Sequence, residues 1–436
     1  MLARLPLPVF LLIVSFALPT EFSIPIGGMR FAPHRVVLLF AIPFAVIRML
    51  QPGIRLRAFD FAFLFYNAWM FNVFLYHGDT QLSEGYNANS SGALAYGGAL
   101  ALEGFGGYIV ARAFVRDSET ALAALRLLVI VIGCVALLAL PEALSGVHFA
   151  HDLASLFSGN SIALKYEKRM GLERAYATFD HPILFGAFCA SVLAMVWVSE
   201  PDRRWRKRAI TFIVLGSFLS LSSAPMLSLG LQVGLLVWER VTRGMASRLS
   251  LTFSILFGLM IGFWAVTGRS PAAFVATGMT LDSWTGYYRL LIWEFGIANV
   301  MDSPWTGIGL RDWTRPYWMA SDSIDAFWLV IPLRAGLPAS FFLIAGVALV
   351  MIAASRTISR RGEPQVWNFR AGWLISLIAF GLIGCTVHYW NALYCYVFFI
   401  IGLGAWIADP RKVRVRARTI RPPVRQPALE PFAARA

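Results

Sequence analysis

Two groups of residues in this chain set fixed cations beside groups able to give or take a proton. The first is Arg174 with Asp180 and His181; the second is Arg289, Arg311 and Asp325. An arginine fork matches phosphate or diphosphate oxygens two at a time. A carboxylate or imidazole nearby can orient or deprotonate a hydroxyl. The second group is interleaved with aromatic rings: Trp284, Trp293, Trp305, Trp313, Trp318 and Trp328, with Tyr288 beside Arg289. Flat rings and fixed cations together suit sugars and phosphates. Asp325 is the candidate for activating or orienting a hydroxyl, and His181 is a reserve base. Arg289, Arg174 and the weaker Arg311 are candidate anion contacts, with Tyr288, Trp293, Trp305 and Trp328 as substrate-binding rings.

Plainer readings stand beside these. Arg169 and Glu173 are four apart and could form a helical surface pair. Arg174 could be salt-bridged. Tyr and Trp are enriched at membrane interfaces as anchors. Asp325 could cap the N-terminus of a helix that begins there. His181 beside Pro182 could be structural.

The elements that must position these residues are membrane spans. The chain has 436 residues, 58% hydrophobic and 14% charged, against about one quarter charged in soluble domains. A formal charge of +14 would suggest nucleic acid in a soluble protein. Here the basic residues sit in short loops and the C-terminal tail, where the positive-inside rule accounts for them, so no nucleic-acid partner is expected. Cys134, Cys189, Cys385 and Cys395 lie in apolar runs without metal-ligand spacing, so neither a disulfide framework nor a metal site is indicated.

Runs of about 20 apolar residues mark spans. Candidates are 5–24, 35–50, 58–76, 91–111, 122–141, 183–199, 209–222, 225–239, 249–267, 337–355, 371–387 and 392–408. The first resembles a signal peptide, but an uncleaved span fits better, because another apolar run follows without a convincing cleavage site. Alternating the loops puts most of the 38 basic residues on one side, which predicts that both termini are cytoplasmic. The expected organisation is an N-terminal transmembrane region over 1–267 with an outer loop at 142–182. A large outer loop at 268–336, a C-terminal transmembrane region at 337–408 and a basic, Pro-rich tail at 409–436 follow, the tail expected to be disordered.

Neither long loop has a net positive charge, so its arginines are either paired locally or placed one by one. Residues 165–186 read as a helical turn followed by a return to the membrane. Tyr288, Leu291, Ile292 and Phe295 fall on one helical face and predict an amphipathic helix in the outer interface. The 303–318 segment, bent by Gly and Pro, should be irregular. Residues 325–335 read as a short interfacial helix broken from the next span at Gly336 and Pro338. Glu103 is the clearest ionisable residue at membrane depth, with Asn67 or Asn72 as candidate partners.

Three local patterns resemble the O-antigen ligase / O-antigen polymerase superfamily, in particular its exopolysaccharide-production branch. Arg174 followed by Phe179 to Gly186 (FDHPILFG) resembles the family's Arg and F-x-x-P-x-x-x-G. Arg289-x-x-x-Trp293 with Pro304 to Gly309 (PWTGIG) is similar to its R…W…P-x-x-G-x-G. Asp325 to Leu329 with Gly336 resembles H-N-x-Y-L…G, but Asp325 and Ala326 stand where lipopolysaccharide ligases place His and Asn. That departure favours a polymerase or exopolysaccharide transferase over a lipid A-core ligase.

The resemblance implies an all-α polytopic membrane protein of about 12 transmembrane helices, GT-C-like, with short interfacial helices in a large periplasmic loop. It implies a bacterial inner-membrane enzyme performing metal-independent, inverting glycosyl transfer without a cofactor. The implied donor is a glycan on undecaprenyl diphosphate, and the acceptor a sugar hydroxyl of another glycan. Further implied partners are the lipid bilayer and the flippase and chain-length regulator of the same pathway. From a different class, a lipid-linked oligosaccharide flippase or other polytopic transporter would need charged residues along several spans. A scaffold in an envelope complex would tolerate every point change named above.

Overall fold

The computed structural model describes residues 5–26, 29–51, 54–78, 92–245, 254, 283–319, 321–356 and 364–409. Apart from Ser254, the expected span at 249–267 lies outside the described residues, as does the tail beyond Asp409. The protein is a mostly helical, polytopic membrane-spanning bundle. Among the described residues, seven helical stretches are long and apolar enough to cross a membrane: Ala58–His77, Ala93–Phe114, Ser118–Ser145, Pro182–Ser199, Phe327–Arg356, Pro364–Ile383 and Asn391–Ala408.

The helices in chain order are α1 (Leu7–Ser15), α2 (Pro33–Met49), α3 (Ala58–His77), α4 (Ala93–Phe114), α5 (Ser118–Ser145), α6 (Phe149–Ser158) and α7 (Pro182–Ala190). They continue with α8 (Leu193–Ser199), α9 (Arg203–Leu219), α10 (Ser223–Val241), α11 (Ser283–Asp302), α12 (Phe327–Arg356), α13 (Pro364–Ile383) and α14 (Asn391–Ala405). The expected spans at 5–24, 35–50, 209–222 and 225–239 correspond to helices that do not meet the length and hydropathy of the seven. In α9 the reason is visible, because its first turns carry Arg203, Arg204, Arg206, Lys207 and Arg208.

Start signals are local. Asp117 caps α5 by accepting from the Thr120 N–H at 2.8 Å, and Asp202 caps α9 through Arg204 and Trp205. Asp60 accepts the Arg57 backbone N–H at 2.8 Å in the first turn of α3. α5 ends where Gly146 turns left-handed at φ 74°.

The centre of the bundle is α4 against α14, with α2 and α3 alongside; α12 packs on α3, and α13 on α8 and α10. α4 and α14 meet through small residues. A Cβ on Gly107 would come within 2.4 Å of the Cys395 carbonyl oxygen, and one on Gly402 within 2.4 Å of the Tyr108 carbonyl. That is how closely apposed membrane helices gain dispersion contact.

One end of the bundle is tied by charge. The buried Arg112 reaches Asp60 at 3.1 Å and Asp409 at 2.6 Å, joining α3, α4 and the end of α14. At the other end, the chain before α2, the chain before α7 and the start of α14 are joined by hydrogen bonds. Thr20 donates to Asp180 at 2.5 Å, and Asn391 donates to the same carboxylate at 2.6 Å. Glu103 is fully buried and paired with His34 and Arg35, both at 2.7 Å. Its partners are therefore on α2; Asn67 and Asn72 instead donate to backbone carbonyls of their own helix.

Candidate functional site

Residues 165–181 form the first wall. The expected helical turn is instead a hairpin, β1 (Lys168–Arg169) against β2 (Leu172–Glu173), turned by Met170 and Gly171 at φ 53° and 81°. Two successive positive φ angles make the tight turn whose twist matches paired strands. Arg169 and Glu173 are thus not helical neighbours. Arg169 donates to the Leu221 carbonyl, and Glu173 accepts the Glu167 N–H.

Arg174 follows directly and is buried. Its guanidinium contacts Glu167 at 2.5 Å, Ser222 Oγ at 2.9 Å and the Ser220 carbonyl at 3.5 Å. It is therefore the locally paired arginine of the two alternatives, with its donors turned toward the α9–α10 corner. Burial alone would raise the Glu167 pKa, but the Arg174 hydrogen bond and charge hold it below the usual carboxylate value. A residue missed from sequence, Glu142, positions this segment. Its carboxylate accepts the backbone N–H groups of Tyr176 and Ala177 at 2.9 and 2.8 Å and pairs with His148 at 2.5 Å. Ala177 is held at φ 54°, a conformation that costs an L residue free energy and needs such support. His181 then caps α7, accepting the Ile183 N–H at 3.1 Å, with Pro182 at the first helical position.

The second wall is α11. As expected, Leu291, Ile292 and Phe295 share a face, but that face is buried against Ala326, Leu329, Val330 and Leu333 of the chain around α12. Trp293 donates to the Cys385 carbonyl at 2.8 Å and fixes α11 to the end of α13. Arg289 lies on the neighbouring strip. Its Nε is buried without a hydrogen-bond partner among the described residues, and the same holds for the Tyr288 hydroxyl.

The third wall is α12, broken at Gly336 (φ 78°, ψ 171°) as the sequence predicts. The 304–309 segment replaces the hydrogen bonds lost at the break. Ile308 N–H donates to the Leu333 carbonyl at 2.8 Å, Gly309 N–H to Arg334 at 3.0 Å, and Leu337 N–H to Pro304 at 2.7 Å. A Cβ on Gly336 would lie 2.1 Å from the Trp305 carbonyl oxygen, and one on Gly307 2.5 Å from that of Leu333. The PWTGIG pattern is thus the latch of a broken helix. Arg334 clamps the same loop through the Gly309 and Arg311 carbonyls.

Asp325 is not the helix cap. α12 begins at Phe327, and its first N–H groups go to carbonyls across the fold, Phe327 to Val387 at 3.1 Å and Trp328 to Gly384 at 3.3 Å. The Asp325 carboxylate accepts from Ser323 Oγ at 2.7 Å.

Electrostatics join what sequence separates. Asp325 acts on the charges of Arg289, His181 and His388, and Arg174 acts on Arg289 and His181. Burial lowers the Arg289 pKa, the Asp325 carboxylate opposes that, and the Arg174 charge adds to it. Burial is also the main cause that lowers His181 to about 4, with Arg174 assisting against Asp325. His388 is lowered to about 4 by burial, against Asp325 and with Arg334. Of the residues singled out from sequence, Arg174, His181, Arg289 and Asp325 therefore share one region, with Tyr288 beside Arg289 on α11. Trp328 serves packing through its N–H to the Gly381 carbonyl at 2.6 Å. Trp305 is exposed, and the Arg311 side chain is exposed with its Nε on the Ile308 carbonyl. His388 was missed by sequence reading: a single histidine in a short turn has no local signature.

A half-buried cation with no hydrogen-bond partner among the described residues, acted on by the charges of a carboxylate and a second cation, can hold an anionic group. Among the described residues no group of three or more His, Cys, Asp or Glu is arranged to hold a metal ion. No family model and no curated protein matches the chain.

Proposed function

We propose that the protein is a GT-C-like glycosyltransferase of the polysaccharide polymerase or O-antigen ligase type. It acts at the periplasmic face of a bacterial inner membrane, with both termini in the cytoplasm. The donor is a glycan carried on undecaprenyl diphosphate, and the acceptor is a sugar hydroxyl of a second glycan, in exopolysaccharide or O-antigen synthesis. The observation that carries this reading is the Arg289 guanidinium. It is half-buried, lacks any protein hydrogen bond among the described residues, and is acted on by the Asp325 charge. Burying a charge without a partner is costly, so the position is best explained by an anionic ligand.

In this reading Arg289 takes the diphosphate bidentately, and the Arg174 charge behind it adds to the positive field without direct contact. Stabilising the negative charge that develops on the departing diphosphate lowers the barrier. Asp325 orients the acceptor hydroxyl on the opposite face of the anomeric carbon, which gives inversion. A lipid donor accounts for a site at the border of the bundle. Glu103, the ionisable group a flippase path would need, is already taken up by His34 and Arg35, which favours the transferase.

The test is transfer by purified protein from a lipid-diphosphate glycan, with no ion gradient present. Arg289→Ala is expected to abolish the product while the protein stays in the membrane. Normal polymer from that variant rejects the diphosphate role.

A further inference from the structure

The chain has six histidines, and five of them hold a hydrogen bond. His34 is on Glu103, His77 on the Thr306 carbonyl, His148 on Glu142, His151 on Glu21, and His181 on the Ile183 N–H. His388 makes none among the described residues, and its Nδ1 is buried without a partner. An imidazole left open in this way is available to a group that is not part of the chain.

Its position is fixed rather than incidental. The turn that carries it, between α13 and α14, accepts the first N–H groups of α12 at Val387 and Gly384. Those two bonds hold His388 against the start of α12, where Asp325 stands. On its other side, the ring lies 5.7 Å from Trp390, whose second imidazole neighbour is His181 at 5.8 Å. His181 is committed as the cap of α7, so it is less free to receive a proton.

We infer that His388 is the proton acceptor for the attacking sugar hydroxyl, and that Asp325 stabilises the imidazolium that forms. This rests on the glycosyl-transfer reading above and makes Asp325 the electrostatic partner of a base. In the step, the acceptor oxygen forms a bond to the donor's anomeric carbon. The bond from that carbon to the diphosphate oxygen breaks, and its electron pair leaves on the lipid diphosphate held by Arg289. The hydroxyl proton passes to an imidazole nitrogen of His388 and is later released to water. The ring offers a nitrogen lone pair, and the Asp325 charge favours the protonated form against the burial that disfavours it.

The experiment uses full-length protein in detergent with two probes. Undecaprenyl diphosphate reports binding, and lipid-linked glycan extracted from a strain lacking this protein reports transfer. His388→Gln is expected to bind undecaprenyl diphosphate within about twofold of wild type while transfer falls at least about 100-fold, the usual worth of general base catalysis. His388→Ala is expected to regain transfer as imidazole is added, which a merely structural residue would not show. Wild-type transfer by His388→Gln overturns the inference. So does loss of lipid-diphosphate binding together with transfer, or a His388→Ala variant that binds normally and ignores imidazole. If the wild-type protein neither binds nor transfers, the glycosyl-transfer reading fails and this inference falls with it.

Discussion

The charge of Asp325, before α12, opposes the burial that lowers the pKa of Arg289 on α11, yet no hydrogen bond or ion pair joins the two residues. The helices that carry or follow them pack together around Leu329. In the proposed reading a negatively charged group sits at the arginine and a hydroxyl at the carboxylate.

Arg289→Ala should lower polymer formation at least about 100-fold, since it removes a charge used on the departing group. Arg289→Lys should recover only part of the loss, because an ammonium is a point charge and cannot bind bidentately. Product yield per molecule of membrane-extracted protein measures both.

Arg174 should behave differently. Its donors already contact Glu167, Ser222 and the Ser220 carbonyl. Arg174→Ala should therefore reduce thermal stability, by about 1–3 kcal/mol for the lost charge-assisted hydrogen bonds. Thermal melts in detergent separate this from Arg289→Ala, for which wild-type stability is expected.

Gly336→Ala should break the latch. The position needs φ 78°, and the new Cβ would meet the Trp305 carbonyl. The cost is expected to exceed about 1 kcal/mol, and the 304–309 segment should become accessible to protease. A variant with wild-type protease resistance would contradict the latch.

Acid should weaken the site. The pKa values of His181 and His388 are both lowered to about 4, from an ordinary value of 6.5. The unfolded chain therefore binds protons on these rings first as the pH falls. Their stabilisation is complete above about 6.5 and is lost between there and about 4. The double variant His181→Gln, His388→Gln should show a smaller drop in melting temperature between pH 7 and pH 5 than the wild type.

Much of this arrangement was legible in the sequence, because it depended on local signals. The helix break at Gly336 was marked by Gly and Pro, and the apolar face of α11, though not its burial against α12, by the spacing of Tyr288, Leu291, Ile292 and Phe295. What the sequence hid was tertiary. Residues Lys168 to Glu173 contain no β-branched side chains to betray a hairpin; the turn is imposed by Met170 and Gly171. Asp325 carries the signature of a cap, but the Val387 and Gly384 carbonyls occupy the N–H groups it would have bound. Glu142 sits at the end of an apolar run, and its partners lie in the next loop. His388 becomes conspicuous only once every other histidine is seen to be engaged.

The most direct measurement of the central claim is binding of undecaprenyl diphosphate to purified wild-type protein and to Arg289→Ala, read alongside glycan transfer. The wild type is expected to bind and transfer, and Arg289→Ala to lose at least about tenfold in affinity, the cost of removing one charge-assisted contact. Equal affinity in the two proteins, with transfer intact, would contradict the assignment of Arg289 as the diphosphate contact.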